Sequence, residues 1–184
     1  MAENLDDPAI LSAALGALSS VYGGRGRFRE RVEVSLRRLE LSRDPRFGDE
    51  YERVNALLDT GRALVRIGEY ARAVDFLVEA ESLASQIQAV KQQVMALRYQ
   101  AQSWYQLDRW AEVLVLEEKR RDLEERYANF LERSGPVCFH IALSASVHAL
   151  QGDTEKALAL RDESKMIMTA VEGPPEMWGR SNHY

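Results

Sequence analysis

Four short turn-like sites divide this chain at nearly even intervals: Gly26-Arg27-Phe28, Gly68-Glu69-Tyr70, Asp108-Arg109-Trp110 and Gly152-Asp153-Thr154. Their first residues, numbers 26, 68, 108 and 152, lie 42, 40 and 44 residues apart. A recurrence at this period marks stacked supersecondary units, none of which buries its apolar face alone. Apolar residues at helical spacing flank each site, so each unit is predicted to be a helical hairpin. Composition agrees, since the strong helix formers Ala, Leu, Glu, Arg and Gln dominate and Pro and Gly are few. The predicted fold class is all-α.

Side chains align in register across the four units. Five residues past the turn residue lie Arg31, Ala73, Val113 and Ala157. Seven before it lie Ser19, Gly61, Ala101 and Ala145, all small, and four further back Leu15, Leu57, Leu97 and Ile141, all aliphatic. Three after the small column come Tyr22, Leu64, Trp104 and His148, all bulky. Two helices crossing closely require a small side chain at the crossing and large apolar neighbours a turn away. On this ground Trp104 and His148 are expected in the packing.

The pattern resembles the tetratricopeptide repeat (TPR), most clearly in "LLDTGRALVRIGEYARAVDFLVEA", where Leu57, Gly61, Leu64, Gly68, Tyr70, Ala73, Phe76, Leu77 and Ala80 occupy family-like places. The resemblance covers about residues 8–170. The period exceeds the family's 34 residues, as in long-repeat variants of bacterial signalling and regulatory proteins. The proline usual near the end of each repeat is missing between the second and third. The resemblance implies a right-handed α-solenoid of about four TPR-like hairpins, at about 8–43, 48–86, 88–131 and 136–171. They form one domain, 1–172, followed by a C-terminal tail, 173–184.

Punctuation supports these boundaries. Asp7-Pro8 places a capping carboxylate before a proline in the first helical position, and Ser134-Gly135-Pro136 does similar work. Asp44-Pro45 separates the first two repeats. The helices are expected at 8–23, 27–43, 48–66, 69–86, 88–106, 109–131, 136–150 and 153–171. "ESLASQIQAVKQQ" holds no breaker for the boundary near Gln86. An end hairpin leaves one apolar face uncovered. Met177 and Trp178 are therefore expected to fold back on the array, or the uncapped end to pair with another copy as a homo-oligomer.

Little here suggests chemistry. The 24 basic and 29 acidic residues are interspersed, with a formal net charge of −5, which argues against nucleic-acid binding. No apolar run reaches the roughly 20 residues of a membrane span, and "MAENLDDPAI" lacks the basic and apolar regions of a secretory signal. No membrane partner and a cytoplasmic location are expected. Cys138 and His140 lack the second ligand pair that zinc needs, so no metal and no cofactor are expected. "GGRGR", at 23–27, follows a helix and lacks the Lys-Ser/Thr ending of a phosphate loop. With no nucleophile, base and orienter to assemble, the chain is not expected to be an enzyme. "LEEKRRDLEER" is expected to be a solvated helix face laced with ion pairs.

The resemblance further implies a concave surface lined by the first helix of each hairpin. Transferring the family's groove columns places Asn55, Arg62, Arg66, Arg98, Gln102 and Tyr105 on it, with Tyr105 facing away from Trp104. The family's Lys and Asn clamp for C-terminal motifs does not match column by column. Arg62 and Arg66 share one helix face, with Arg98 alongside. They either solvate the inner surface, with Asp59 or Glu69 as counter-charges, or hold an acidic partner. The expected function is a non-enzymatic protein–protein interaction module, a scaffold or regulatory part of a signalling protein. It binds a protein or peptide, with an acidic segment the best fit. The alternative is a small-ligand or peptide sensor domain.

Overall fold

The computed structural model describes residues 7–44, 48–127 and 135–172. Among these are eight helices and no strand: α1 (Pro8–Gly24), α2 (Phe28–Ser42), α3 (Glu50–Arg66), α4 (Tyr70–Gln86), α5 (Val90–Gln106), α6 (Trp110–Arg126), α7 (Gly135–Leu150) and α8 (Thr154–Glu172). The chain divides into two compact units, Met1–Leu107 and Asp108–Tyr184. In the first, each helix packs against its successor from α1 to α5, and α3 also meets α5. In the second, α7 and α8 form a hairpin that α6 joins through α7.

The turns explain the even spacing. Gly26, Gly68 and Gly152 have φ of 71°, 80° and 85°, and Asp108 reaches 57°. The left-handed conformation closes a helix by turning back its last carbonyls. The amides of Arg27, Glu69 and Asp153 accordingly donate to the carbonyls of Tyr22, Leu64 and His148 at 2.9, 3.1 and 2.9 Å. The boundary without a breaker uses the same closure. Gln88 has φ 57°, and Ala89 N–H donates to Ala84 O at 2.8 Å. At helix starts, Asp7 and Asp49 accept from the amides of Ala9 and Glu52. Ser134 and Pro45, expected as punctuation, lie outside the described residues, as do Met177 and Trp178. The sixth helix is shorter than expected, ending at Arg126, because Tyr127 leaves helical geometry at φ −121°.

The aliphatic column and the small column are buried throughout. In the first unit Leu57, Leu64, Leu77, Ala73 and Ala80 form the centre of one continuous core. Each fully buried leucine contributes about 2 kcal/mol of transfer free energy. The crossing of α3 and α4 is very close: a Cβ on Gly61 would stand 2.6 Å from Leu77. At the equivalent crossing of α1 and α2, two small residues meet instead, Ser19 and Ser35, with their hydroxyls 3.1 Å apart. In the bulky column Leu64 and His148 are buried, whereas Trp104 is half-buried, not fully in the packing.

"LEEKRRDLEER" departs from the solvated face expected of it. Arg120 is 1% exposed and Glu117 6%, because both point from α6 into the packing. The Arg120 guanidinium donates to both oxygens of Glu117, at 2.9 and 2.7 Å, and lies 2.5 Å from Glu124. Arg126 and Asp122, on the same helix, do form an exposed pair.

Candidate functional site

In the first unit a concave pocket of about 290 Å³ opens between α2, α3 and α5. Asn55, Leu58, Asp59 and Arg62 line it from α3, Lys91, Gln92 and Met95 from α5, and Arg38 from α2. The α3 residues recur every three or four positions, so the helix turns one continuous strip toward the pocket. Asn55 and Arg62, both assigned to the groove columns, line this pocket. Arg66 is exposed at the end of the same helix, and Arg98, Gln102 and Tyr105 are half-buried on α5 outside the pocket lining.

A guanidinium network underlies this surface. Arg38 donates to both oxygens of Glu52, at 2.7 and 2.9 Å, and to Asp59 Oδ2 at 2.5 Å. Ser12 of α1 donates to Glu52, completing the link from the first helix to the third. Asp59 Oδ1 is shared more loosely, 3.5 Å from Arg62 and 3.9 Å from Arg31. At those separations the contacts are ion pairs rather than well-formed hydrogen bonds. The Nε–H groups of Arg31 and Arg62 are buried with no acceptor. Of the two counter-charges expected, Asp59 serves the cluster, while Glu69 pairs with Arg72.

The aromatic partner of these cations is Tyr99. Arg62 and Arg98 lie over its ring, 5.5 and 5.1 Å from the centroid. Tyr105 stands six residues further along α5, about 9 Å of helix rise. Burial lowers the Arg31 pKa from its ordinary value, and repulsion from Arg62 and Arg66 lowers it further, only partly offset by Asp59 and Tyr99. Arg62 and Arg98 thus share Tyr99, and Arg66 lies near enough to Arg31 to lower its pKa.

The α2 contribution was absent from the groove columns, which draw only on first helices. Its signal was a matched spacing. Arg31 and Arg38 are seven residues apart on α2, as are Gly16 and Gly23 on α1. A Cβ on Gly16 would stand 3.1 Å from the Arg38 guanidinium, and one on Gly23 2.7 Å from Arg31 Nη1. The two glycines leave the space that these arginines fill.

Elsewhere, Cys138 and His140 are both buried in α7. No group of three or more metal-ligating side chains occurs among the described residues. No helix among them is long and apolar enough to cross a membrane.

No protein-family model and no curated protein matches the sequence. Solved structures do match. BtubC (BKLC) from P. vanneervenii superposes with a TM-score of 0.56 at 15% identity, over 93% of this chain and 86% of that one. A kinesin light chain of Podosopora anserina, described as putative and as carrying nearly identical TPR-like repeats, gives 0.42 at 14% identity, over 92% and 100%. A substituted form of that kinesin light chain gives 0.44 at 14%, over 91% and 98%. At such identities the likeness concerns architecture. In fold, the described residues form an all-α series of helical hairpins, an architecture like that of BtubC.

Proposed function

We propose that the chain is a non-catalytic interaction module that holds an acidic peptide segment of a partner protein along the α3–α5 surface. One observation carries this reading: the single carboxylate of Asp59 is shared among Arg31, Arg38 and Arg62. An acidic segment supplies the acceptors this surface lacks, through the forked hydrogen bonds that guanidinium groups favour. Asn55 at the pocket and Gln102 and Tyr105 on α5 extend the surface along the peptide. In this reading the protein serves as a cytosolic scaffold or as the regulatory part of a signalling assembly. The test titrates acidic and neutral peptides against wild type and Arg62→Ala/Arg98→Ala. The expected result is binding of acidic peptides only, weakened about tenfold or more in the double variant. It should fall as salt screens charges over about 8 Å. Equal affinity of both proteins for acidic peptides would move the partner surface elsewhere.

A second reading, a small-ligand sensor, draws on the pocket volume of about 290 Å³. That is at the lower limit of ligand sites, about 300 Å³. Displacement of bound peptide by a small metabolite-sized anion would favour it.

A further inference from the structure

We propose that Arg31, Arg62 and Arg66 form a seat for a dianionic phosphoryl group, so that the peptide the groove takes carries a phosphorylated side chain. This rests on the groove reading above and specifies its ligand.

Charge on this surface favours a dianion. Four guanidinium groups, Arg31, Arg38, Arg62 and Arg66, interact with one another or with the same carboxylates, and those carboxylates are two, Glu52 and Asp59. Glu52 is engaged by Arg38 on both oxygens, and Asp59 Oδ2 by Arg38 as well. What Asp59 Oδ1 still offers is shared by Arg31 and Arg62, so this surface carries more positive charge than its own carboxylates offset. A phosphate monoester carries about −1.5 to −2 at neutral pH, against −1 for a carboxylate. It therefore offsets more of this charge than one carboxylate can.

The buried Nε–H groups of Arg31 and Arg62 have no acceptor, and each is one edge of a guanidinium fork. Leaving such donors unmet costs free energy that a ligand oxygen restores. The Arg62 side chain is 37% exposed, so a ligand can reach its guanidinium, and the buried Nε–H groups are met once the side chains turn toward the phosphoryl oxygens. Asp59 stays in place, anchored to Arg38, while its loosely held Oδ1 releases Arg62 and Arg31 toward the ligand.

The glycine at position 23 leaves room for Arg31. Arg31 Nη1 occupies the volume where a Cβ would sit, at 2.7 Å. Gly23 therefore sets where the Arg31 fork lies, without carrying charge itself.

The experiment titrates phenyl phosphate, a dianion, and phenyl sulfate, a monoanion of like shape, into the full chain by calorimetry. A phosphoserine-containing acidic peptide is compared with its serine and glutamate forms. The variants are Arg31→Gln, Gly23→Ala and, as control, Arg37→Gln on the exposed face of α2. Wild type and Arg37→Gln should bind phenyl phosphate about tenfold more tightly than phenyl sulfate, with the same order for phosphoserine over serine and glutamate. Arg31→Gln should abolish the preference. Gly23→Ala, which replaces a helical glycine by a better helix former, should shrink it at undiminished thermal stability. Equal binding of phosphate and sulfate by wild type would overturn the proposal, as would a preference that survives in both Arg31→Gln and Gly23→Ala. If acidic peptides bind without preference for phosphoserine, the groove reading stands and the phosphoryl seat falls. If no acidic peptide binds, both fall.

Discussion

Two positions show how far one residue determines its surroundings. Gly61 is the small member of its crossing, and the Leu77 side chain lies where its Cβ would be. Gly61→Ala should cost about 1–3 kcal/mol by overpacking, despite alanine's better helix propensity. Gly61→Ala/Leu77→Ala should be less destabilised than the sum of the two single changes, as urea midpoints would show. If Gly61→Ala leaves the midpoint unchanged, the crossing is looser than described. Arg120 is the charged counterpart. Burial raises the Glu117 pKa, but the Arg120 hydrogen bonds and charge, helped by His140 and Arg121, outweigh it and hold the group below its ordinary 4.5. A depressed carboxylate stabilises the fold above its ordinary value, and that stability is lost as pH falls through the folded value. Acid should therefore weaken the second unit below the normal glutamate range. Arg120→Gln should cost about 3–5 kcal/mol at neutral pH, since it strands a buried carboxylate. It should then lose less on acidification, because Glu117 has a weaker partnership left to break. A variant as stable as wild type at neutral pH would show that the pair contributes nothing to the fold.

Among elements, the turns differ in a way that stability measurements can read. Helices α3 to α6 each hold 17 residues. The connectors between them pass through Gly68, Gln88 and Asp108, all at positive φ. Only the first is a glycine. A left-handed residue with a Cβ costs about 1–2 kcal/mol, less for Asp, whose short side chain tolerates that region. Gln88→Gly should raise stability by up to about 1 kcal/mol after the entropy of the freer unfolded chain is subtracted. Asp108→Gly should gain less, and Gly68→Ala should lose about 1 kcal/mol. Thermal midpoints of the three variants would reveal the order, and a destabilised Gln88→Gly would contradict it. The Gly and Asp turns were legible from their residues. The Gln88 turn was legible only from the register of its neighbours, since no residue type marks it.

At the scale of the molecule, α3 is covered by α2, α4 and α5, whereas α1 rests mainly on α2. Stability in a repeat array is the sum of such neighbour contacts. Amide hydrogen exchange in the first unit should therefore be slowest in α3 and fastest in α1. Uniform exchange across α1 to α5 would mean that this unit opens as a single block. The helices and their hairpin spacing follow from local rules that operate within a few residues: apolar periodicity, capping and left-handed turns. So do the buried columns, because a side chain's position on a helix determines which way it faces. Asn55 and Arg62 reach the pocket for the same reason. The assembly of the charged cluster follows different physics. Asp59 becomes the shared acid of Arg31, Arg38 and Arg62 only because α2 and α3 pack side by side, bringing together side chains far apart in the chain. Tyr99 rather than Tyr105 meets the arginines because α5 lies against α3 in one register and not the next. Guanidinium side chains are long and can pair in many directions, so no local pattern chooses their partner. Close helix packing, with space left at Gly16 and Gly23, makes that choice.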